Sequence, residues 1–204
     1  MVAFCDRFVS ELDMSMLRPA LQRLQQSRFV KAYLLALERR PLTTKCTTSG
    51  LLMVGADATR QRLEDAEQPY DAPRTARLTA FAILIHAPFL HAYHPIAERL
   101  WARYDIRHTV VKVGLDQAFS APVFLSIFLS FTALAEGLGA SGARARVEQQ
   151  LPLLWRDSLC CWGPAHLVTF NLPIPVRVLW QDVVRLYFGT IMSLRGTARI
   201  REDP

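Results

Sequence analysis

Three stretches of this chain contain no Asp, Glu, Lys or Arg: Leu78 to Ala97, Gln117 to Ala135, and Ser158 to Val176. Each is close to the length that crosses a hydrocarbon core as a helix, at about 1.5 Å of rise per residue. A soluble helical chain seldom accumulates three such windows. The overall composition, 51% hydrophobic and 21% charged, is ordinary for a globular protein. What constrains the fold is therefore how the charges are distributed.

The first part of the chain adds a polar theme. From Pro41 to Leu63 a largely apolar pattern carries Thr43, Thr47, Gly50, Asp57 and Gln61 on one narrow helical arc. Beside membrane-length neighbours, a carboxylate on such an arc has to face other helices or an aqueous cavity. The theme recurs in Leu78 to Ala97, where Thr79, Ala82, His86 and Tyr93 share a face and Pro88 predicts a kink. Asp116 and Gln117 open the next span, favoured there as residues at a helix N-terminus, and Ser126, Ser130, Ala133 and Gly137 give it a small-residue face for close packing.

The last region is the least regular. Pro164, Pro173 and Pro175 argue against one straight helix across Ser158 to Val176, so a broken or re-entrant segment is expected there. A final span from about Val176 to Leu194 contains Arg177, Asp182 and Arg185, with Asp182 and Arg185 able to pair at i, i+3. Arg177 follows the prolines and is expected to snorkel to the interface.

The expected fold class is all-α: an integral membrane bundle of about four transmembrane helices with additional amphipathic or interfacial helices. Residues 1–27 read as an N-terminal extension or interfacial helix, 28–195 as a single helical membrane domain and 196–204 as a tail. Arg28 to Arg40 places Phe29, Tyr33, Ala36 and Leu37 on one face and belongs at the membrane boundary. Charged connections are expected at Glu64 to Pro73 and at Glu98 to Lys112, the latter with Trp101 and Tyr104 as interface residues. The segment up to Lys45 has eight Lys or Arg, which places both termini on the cytosolic or matrix side.

The same residues exclude several functions. The net charge of +6 comes from cations dispersed at helix ends, where no stripe forms for nucleic acid. Cys5, Cys46, Cys160 and Cys161 form no metal-ligand spacing, and the adjacent pair reads as packed thiols. His86 and His91 point apart on a helix, so no metal is expected, and His91 reads as a helix-to-helix hydrogen bonder. Ser158, Cys160, Cys161 and His166 lack the setting of an activated nucleophile, and no glycine-rich phosphate loop is present. The chain reads as no enzyme and as needing no cofactor.

Several motifs in order resemble the family of Mpv-seventeen and the 22-kDa peroxisomal membrane protein. They are Tyr33 with Leu37, Pro41 and Thr44; Gly50 with Asp57 and Gln61; Asp71, Arg74, Thr75 and Arg77; Pro88 and His91; Lys112, Asp116 and Gln117 with Pro122; and the ending from Pro173 through Arg177 to Ser193. The likeness covers roughly Arg28 to Leu194. It departs where the family usually has Gly-Asp and this chain has Gly55, Ala56, Asp57. It also departs at Tyr93 and His94, and around Trp162 to Asn171.

The resemblance implies a channel-like membrane protein of the mitochondrial inner or peroxisomal membrane, passing small solutes or ions and supporting organelle homeostasis. The alternative is a non-conducting scaffold that binds a partner. The bilayer is the expected partner, with a homo-oligomer as a further possibility and no nucleic acid. Asp57, Gln61, His86, Asp116, Gln117, Arg177, Asp182 and Arg185 are the candidates for pore lining or a buried polar network. Arg77 or Arg177 is the expected counter-charge of Asp57, and Ser126, Ser130 and Gly137 are the packing residues.

Overall fold

A computed structural model describes residues 28–64, 67–100, 106–172 and 174–187. The expectations for residues 1–27, Trp101, Tyr104 and the end of the final span lie outside them. The described residues are all-α, without a strand, and form two compact units parted between Thr44 and Lys45.

In the first unit, α1 (Arg28–Arg39) meets the opening turn of α2 (Pro41–Glu64). Pro41 has no N–H to offer the preceding turn. The Thr44 hydroxyl reaches back instead, donating to the Ala36 carbonyl at 3.0 Å or the Arg40 carbonyl at 2.8 Å.

In the second unit, the remainder of α2 is followed by α3 (Ala72–Phe81). Asp71 caps that helix by accepting from the Arg74 N–H at 2.8 Å. A π-helical turn, Ala82–His86, joins α3 to α4 (Ala87–Leu100) as one rod. A second rod repeats the plan: α5 (Ile106–Leu115), a π turn at Asp116–Ser120, and α6 (Ala121–Ala135). Asp116 therefore sits within a continuous helix and does not start one. The charged link expected over Glu98 to Lys112 is shorter than that, since helix occupies both of its ends.

At the end of α6, Gly137 adopts φ +81°, with Gly137 N–H donating to Leu134 O at 3.0 Å and Leu138 N–H to Ala133 O at 3.1 Å. This pairing is a Schellman cap, which requires a left-handed residue. Gly137 is thus a helix stop, and the expected packing role fails because a Cβ built on it would meet nothing within 4 Å. Ser126 is half-buried and donates to Pro122 O of its own helix at 2.7 Å, while Ser130 is half-buried.

The helix α7 (Gly139–Asn171) runs through Pro152 and Pro164, and the break expected between Ser158 and Val176 follows it. Each proline forfeits one backbone bond, a cost that packing against neighbouring helices can offset. The break comes at Leu172, whose backbone is extended at φ −86° and ψ 153°. Leu172 precedes Pro173, and a residue before proline is pushed out of the helical region. Helix α8 follows over 174–187.

Between the two rods the core is aromatic. Phe81, 2% exposed, meets Phe124, Phe128 and Phe131 with ring centroids 5.7, 5.1 and 5.5 Å away. The outer surface is also apolar: Leu84, Val110, Val111, Phe119, Val123 and Leu134 are all exposed. Among the described residues, Ala72–Arg99 and Thr109–Ala135 are long and apolar enough to cross a membrane. The second has a mean hydropathy of 1.9 with only 11% of its window buried, so its apolar side chains point outward, as a lipid-facing helix requires.

Candidate functional site

The polar residues of the second unit fall into linked clusters. Asp57 is fully buried on α2. Its Oδ2 accepts from Thr75 Oγ1 at 2.6 Å and Gln61 Nε2 at 2.8 Å, while Oδ1 faces Arg74 Nε at 3.2 Å and Arg60 Nη2 at 3.4 Å. The counter-charges are thus Arg60 and Arg74, correcting the expectation of Arg77 or Arg177. Gln61 also brackets the Asp71 backbone, accepting from its N–H at 2.7 Å and donating to its carbonyl at 3.1 Å. Arg74 is held in turn by Glu64, at 2.6 and 3.1 Å. Asp57 and Gln61 together clamp α2 to the start of α3.

A second cluster centres on Asp182 of α8, 1% exposed. It accepts from Ser49 Oγ at 2.5 Å and from Arg185 Nη2 at 2.7 Å, and faces His86 Nε2 at 3.2 Å. The expected i, i+3 pair is present, and it ties α8 to α2 and to the first π turn.

The third cluster is built on the other π turn. Asp116 accepts from the Tyr93 hydroxyl and faces His166 Nε2 at 3.1 Å. Gln117 is buried beside it, and its backbone carbonyl accepts from Trp155 Nε1 at 2.8 Å.

Arg177 is 1% exposed and does not snorkel. It donates to Glu98 Oε2 at 2.9 Å and to the Leu172 and Phe170 carbonyls at 2.9 and 3.2 Å, closing the chain where the helix breaks. Lys45, 4% exposed, donates to His91 Nδ1 at 3.2 Å, which makes His91 the helix-to-helix bonder expected.

A half-enclosed cavity of about 370 Å³ lies among these elements. It sorts the predicted residues. His86, Asp116, Gln117 and Arg185 line it, whereas Asp57, Gln61, Arg177 and Asp182 stand outside it in the networks that hold the helices together. Much of the remaining wall is aromatic, with Phe81, Phe89, Phe124, Phe128 and Trp162.

Sequence reasoning misses Lys45, Ser49, Arg60 and Gln181. The buried face of α2 runs through Lys45, Ser49, Met53 and Ala56, rotated from the arc defined by Thr43 and Thr47, which are exposed. A serine and a lysine on an apolar helix are the available signal. Cys160 is exposed, so the packed-thiol reading fails there, and Cys161 is half-buried. Among the described residues, no group of three or more His, Cys, Asp or Glu is placed to hold a metal ion.

Comparison with known proteins gives consistent relatives. The chain is 30% identical over 171 residues to the mitochondrial inner membrane protein Mpv17 of Caenorhabditis briggsae, covering 82% of this chain and 93% of that protein. It is 25% identical over 177 residues to peroxisomal membrane protein 2 of Bos taurus, covering 83% and 90%. With the protein SYM1 of Saccharomyces cerevisiae the identity is 24% over 185 residues, covering 86% and 94%. No family model matches the chain, and no solved structure matches it.

Proposed function

We propose that this chain, which belongs to the Mpv17 and PXMP2 family of organelle membrane proteins, is a channel-like protein that passes small solutes or ions through its own helical bundle. The observation carrying this reading is the cavity of about 370 Å³, in which His86, Asp116, Gln117 and Arg185 converge between two lipid-length rods. Ionisable side chains that face a cavity behind an apolar outer surface are the arrangement of a membrane path, since such groups at membrane depth face one another or water. In this reading α2 and α8 complete a four-span bundle. Its site is the mitochondrial inner membrane, with the peroxisomal membrane as the alternative, following the names of its relatives. The chain carries out no catalysis in this reading.

The test is reconstitution of purified protein in liposomes, with orientation verified. Wild type is expected to give a conductance or small-solute leak, changed in size or selectivity by Asp116→Asn, whose carboxylate lines the cavity. No leak from correctly inserted protein would sink the reading.

A second reading, a non-conducting scaffold, is favoured by a separate observation: the Asp57, Asp182 and Arg177 networks close on themselves. It predicts a co-purifying partner lost on Ser126→Leu or Ser130→Leu, with no conductance.

A further inference from the structure

A cavity built only to pass ions has little need of so much apolar wall. Besides its phenylalanines this one is lined by Leu78, Leu90, Leu125 and Leu154. At its polar side stand two guanidinium groups, Arg60 and Arg185, each anchored from behind. Arg60 Nη2 lies 3.4 Å from Asp57 Oδ1, and Arg185 Nη2 donates to Asp182 at 2.7 Å.

Anchoring leaves part of each group over. Arg60 Nε and Arg185 Nη1 are buried and have no hydrogen-bond partner among the described residues, and the same is true of the Gln117 Oε1 acceptor. A buried N–H on a charged group left unserved is costly, so a site with two of them favours an acceptor carrying negative charge. The acids of the same wall are already engaged, Glu64 by Arg74 and Asp116 by Tyr93 and His166. Little remains there to recognise a cation.

Next to the cavity, and sharing Arg60, Leu78 and Phe128 with it, is a recess of about 300 Å³. It adds Arg74, Arg77 and Arg146, with Glu136 as its one acidic residue. The guanidinium excess thus continues on one side of a largely apolar chamber.

From this arrangement we infer that the cavity binds an amphiphilic organic anion: a carboxylate or phosphate monoester head at Arg60 and Arg185, with its apolar chain against Phe81, Phe89, Phe124 and Phe128. The inference goes beyond conduction, because occupancy is an equilibrium property and can be measured on a chain that passes nothing.

The experiment uses the full chain in nanodiscs of phosphatidylcholine, with dodecyl phosphate as the probe and empty discs as background. Saturable binding at one probe per chain is expected, accompanied by a rise in unfolding temperature. Arg185→Lys keeps a cation facing Asp182 but loses the forked donor, and should weaken binding about tenfold. Ala121→Phe puts a ring into the cavity wall, leaves every arginine in place and should abolish binding. If Arg185→Lys lowers the unfolding temperature without probe, Ala121→Phe decides alone.

Equal binding of dodecyltrimethylammonium or dodecanol would overturn the inference, as would equal binding of inorganic phosphate or indifference to both variants. Displacement of the probe by an anionic diacyl phospholipid in the disc would assign the site to a membrane lipid. Retention of the probe would assign it to a single-chain anion. Absence of conductance together with probe binding would remove the channel reading and leave this one standing.

Discussion

Removing the Asp57 carboxylate should be among the most damaging single changes in the chain, and the structure separates its parts. In Asp57→Ala, Thr75 Oγ1 and Gln61 Nε2 lose an acceptor at 2.6 and 2.8 Å. Arg74 keeps Glu64 at 2.6 Å, so its charge stays compensated. Arg60, with only 19% of its side chain exposed, has no other acid at ion-pair distance among the described residues. Breaking a buried pair by deleting one partner costs about 3–5 kcal/mol, and the residual exposure of Arg60 places this case near the lower end, about 3 kcal/mol. Asp57→Asn keeps an oxygen acceptor and should cost roughly 1–2 kcal/mol, mainly through the lost charge. If the orphaned Arg60 is the main penalty, Asp57→Asn combined with Arg60→Met should be more stable than the sum of the single changes by at least about 0.5 kcal/mol. The assay is equilibrium unfolding in a fixed detergent or nanodisc, with insertion checked for each variant. An Asp57→Ala loss below about 1 kcal/mol would refute the argument that Asp57 clamps α2 to α3, and strictly additive singles would refute its charge coupling to Arg60 within α2.

Three further outcomes test other parts of the fold. Gly50→Val should destabilise by about 1–3 kcal/mol, since even a Cβ at Gly50 would lie 2.8 Å from Ile83 Cδ1; unchanged unfolding would show that the close approach is not needed. Gly137→Val should cost about 1–2 kcal/mol from its φ of +81°, read by the same assay, with Gly137→Asn milder because asparagine tolerates that region. The half-exposed Glu136 is held below the usual carboxylate range by its hydrogen bond from Arg146, at 2.5 Å. A depressed carboxylate stabilises the fold above the unfolded pKa and loses that contribution as pH falls through the folded one. The stability difference between wild type and Glu136→Gln should therefore be at most about 1 kcal/mol near neutral pH, where solvent screens the pair, and fade as acidification passes below the usual carboxylate range; a difference that grew on acidification would contradict it.

What could be read from the residues depended on whether periodicity or geometry carried the information. The uncharged windows marked both rods, because a helix that contacts lipid must exclude charge over its whole length. Asp182 and Arg185 were legible as a pair because i, i+3 spacing is local. The same local spacing offers Arg60 to Asp57, but Arg74 approaches from α3 and only the packing selects it over Arg77. The prolines announced a break between Ser158 and Val176 without locating it: a long packed helix absorbs the bond lost at Pro164, and the extended Leu172 shows the restraint that Pro173 puts on its preceding residue. Arg177 looked like a snorkelling residue by position in the chain, yet the end of α7 at Leu172 supplies two carbonyls that an exposed arginine would not find. Gly137 fitted a small-residue stripe equally well as sequence, and only its backbone angle identifies it as a cap.

The two rods share a device that links their sequence to the site. Each has a π turn followed by alanine and proline: Ala82–His86 before Ala87 and Pro88, and Asp116–Ser120 before Ala121 and Pro122. The carbonyls that these prolines cannot serve, those of Leu84 and Ala118, lie within the widened turns, where the backbone has already left the i−4 register. A π turn adds a residue to the helical circumference and so rotates the side chains that follow it. His86 and Asp116 both sit in these turns, and both reach the cavity from opposite rods. Pro88, where a kink is expected from sequence, follows one π turn, and Pro122 follows the other. Restoring ordinary helix, by deleting one residue from a π turn, should rotate the downstream half of the rod by about 100° against its neighbours. In the first turn such a deletion would withdraw His86 from the cavity, and in the second it would keep Asp116 and turn away Phe124 and Phe128, while the apolar length of the span stays almost unchanged. That outcome would separate what the rods need for crossing a bilayer from what they need for building the site.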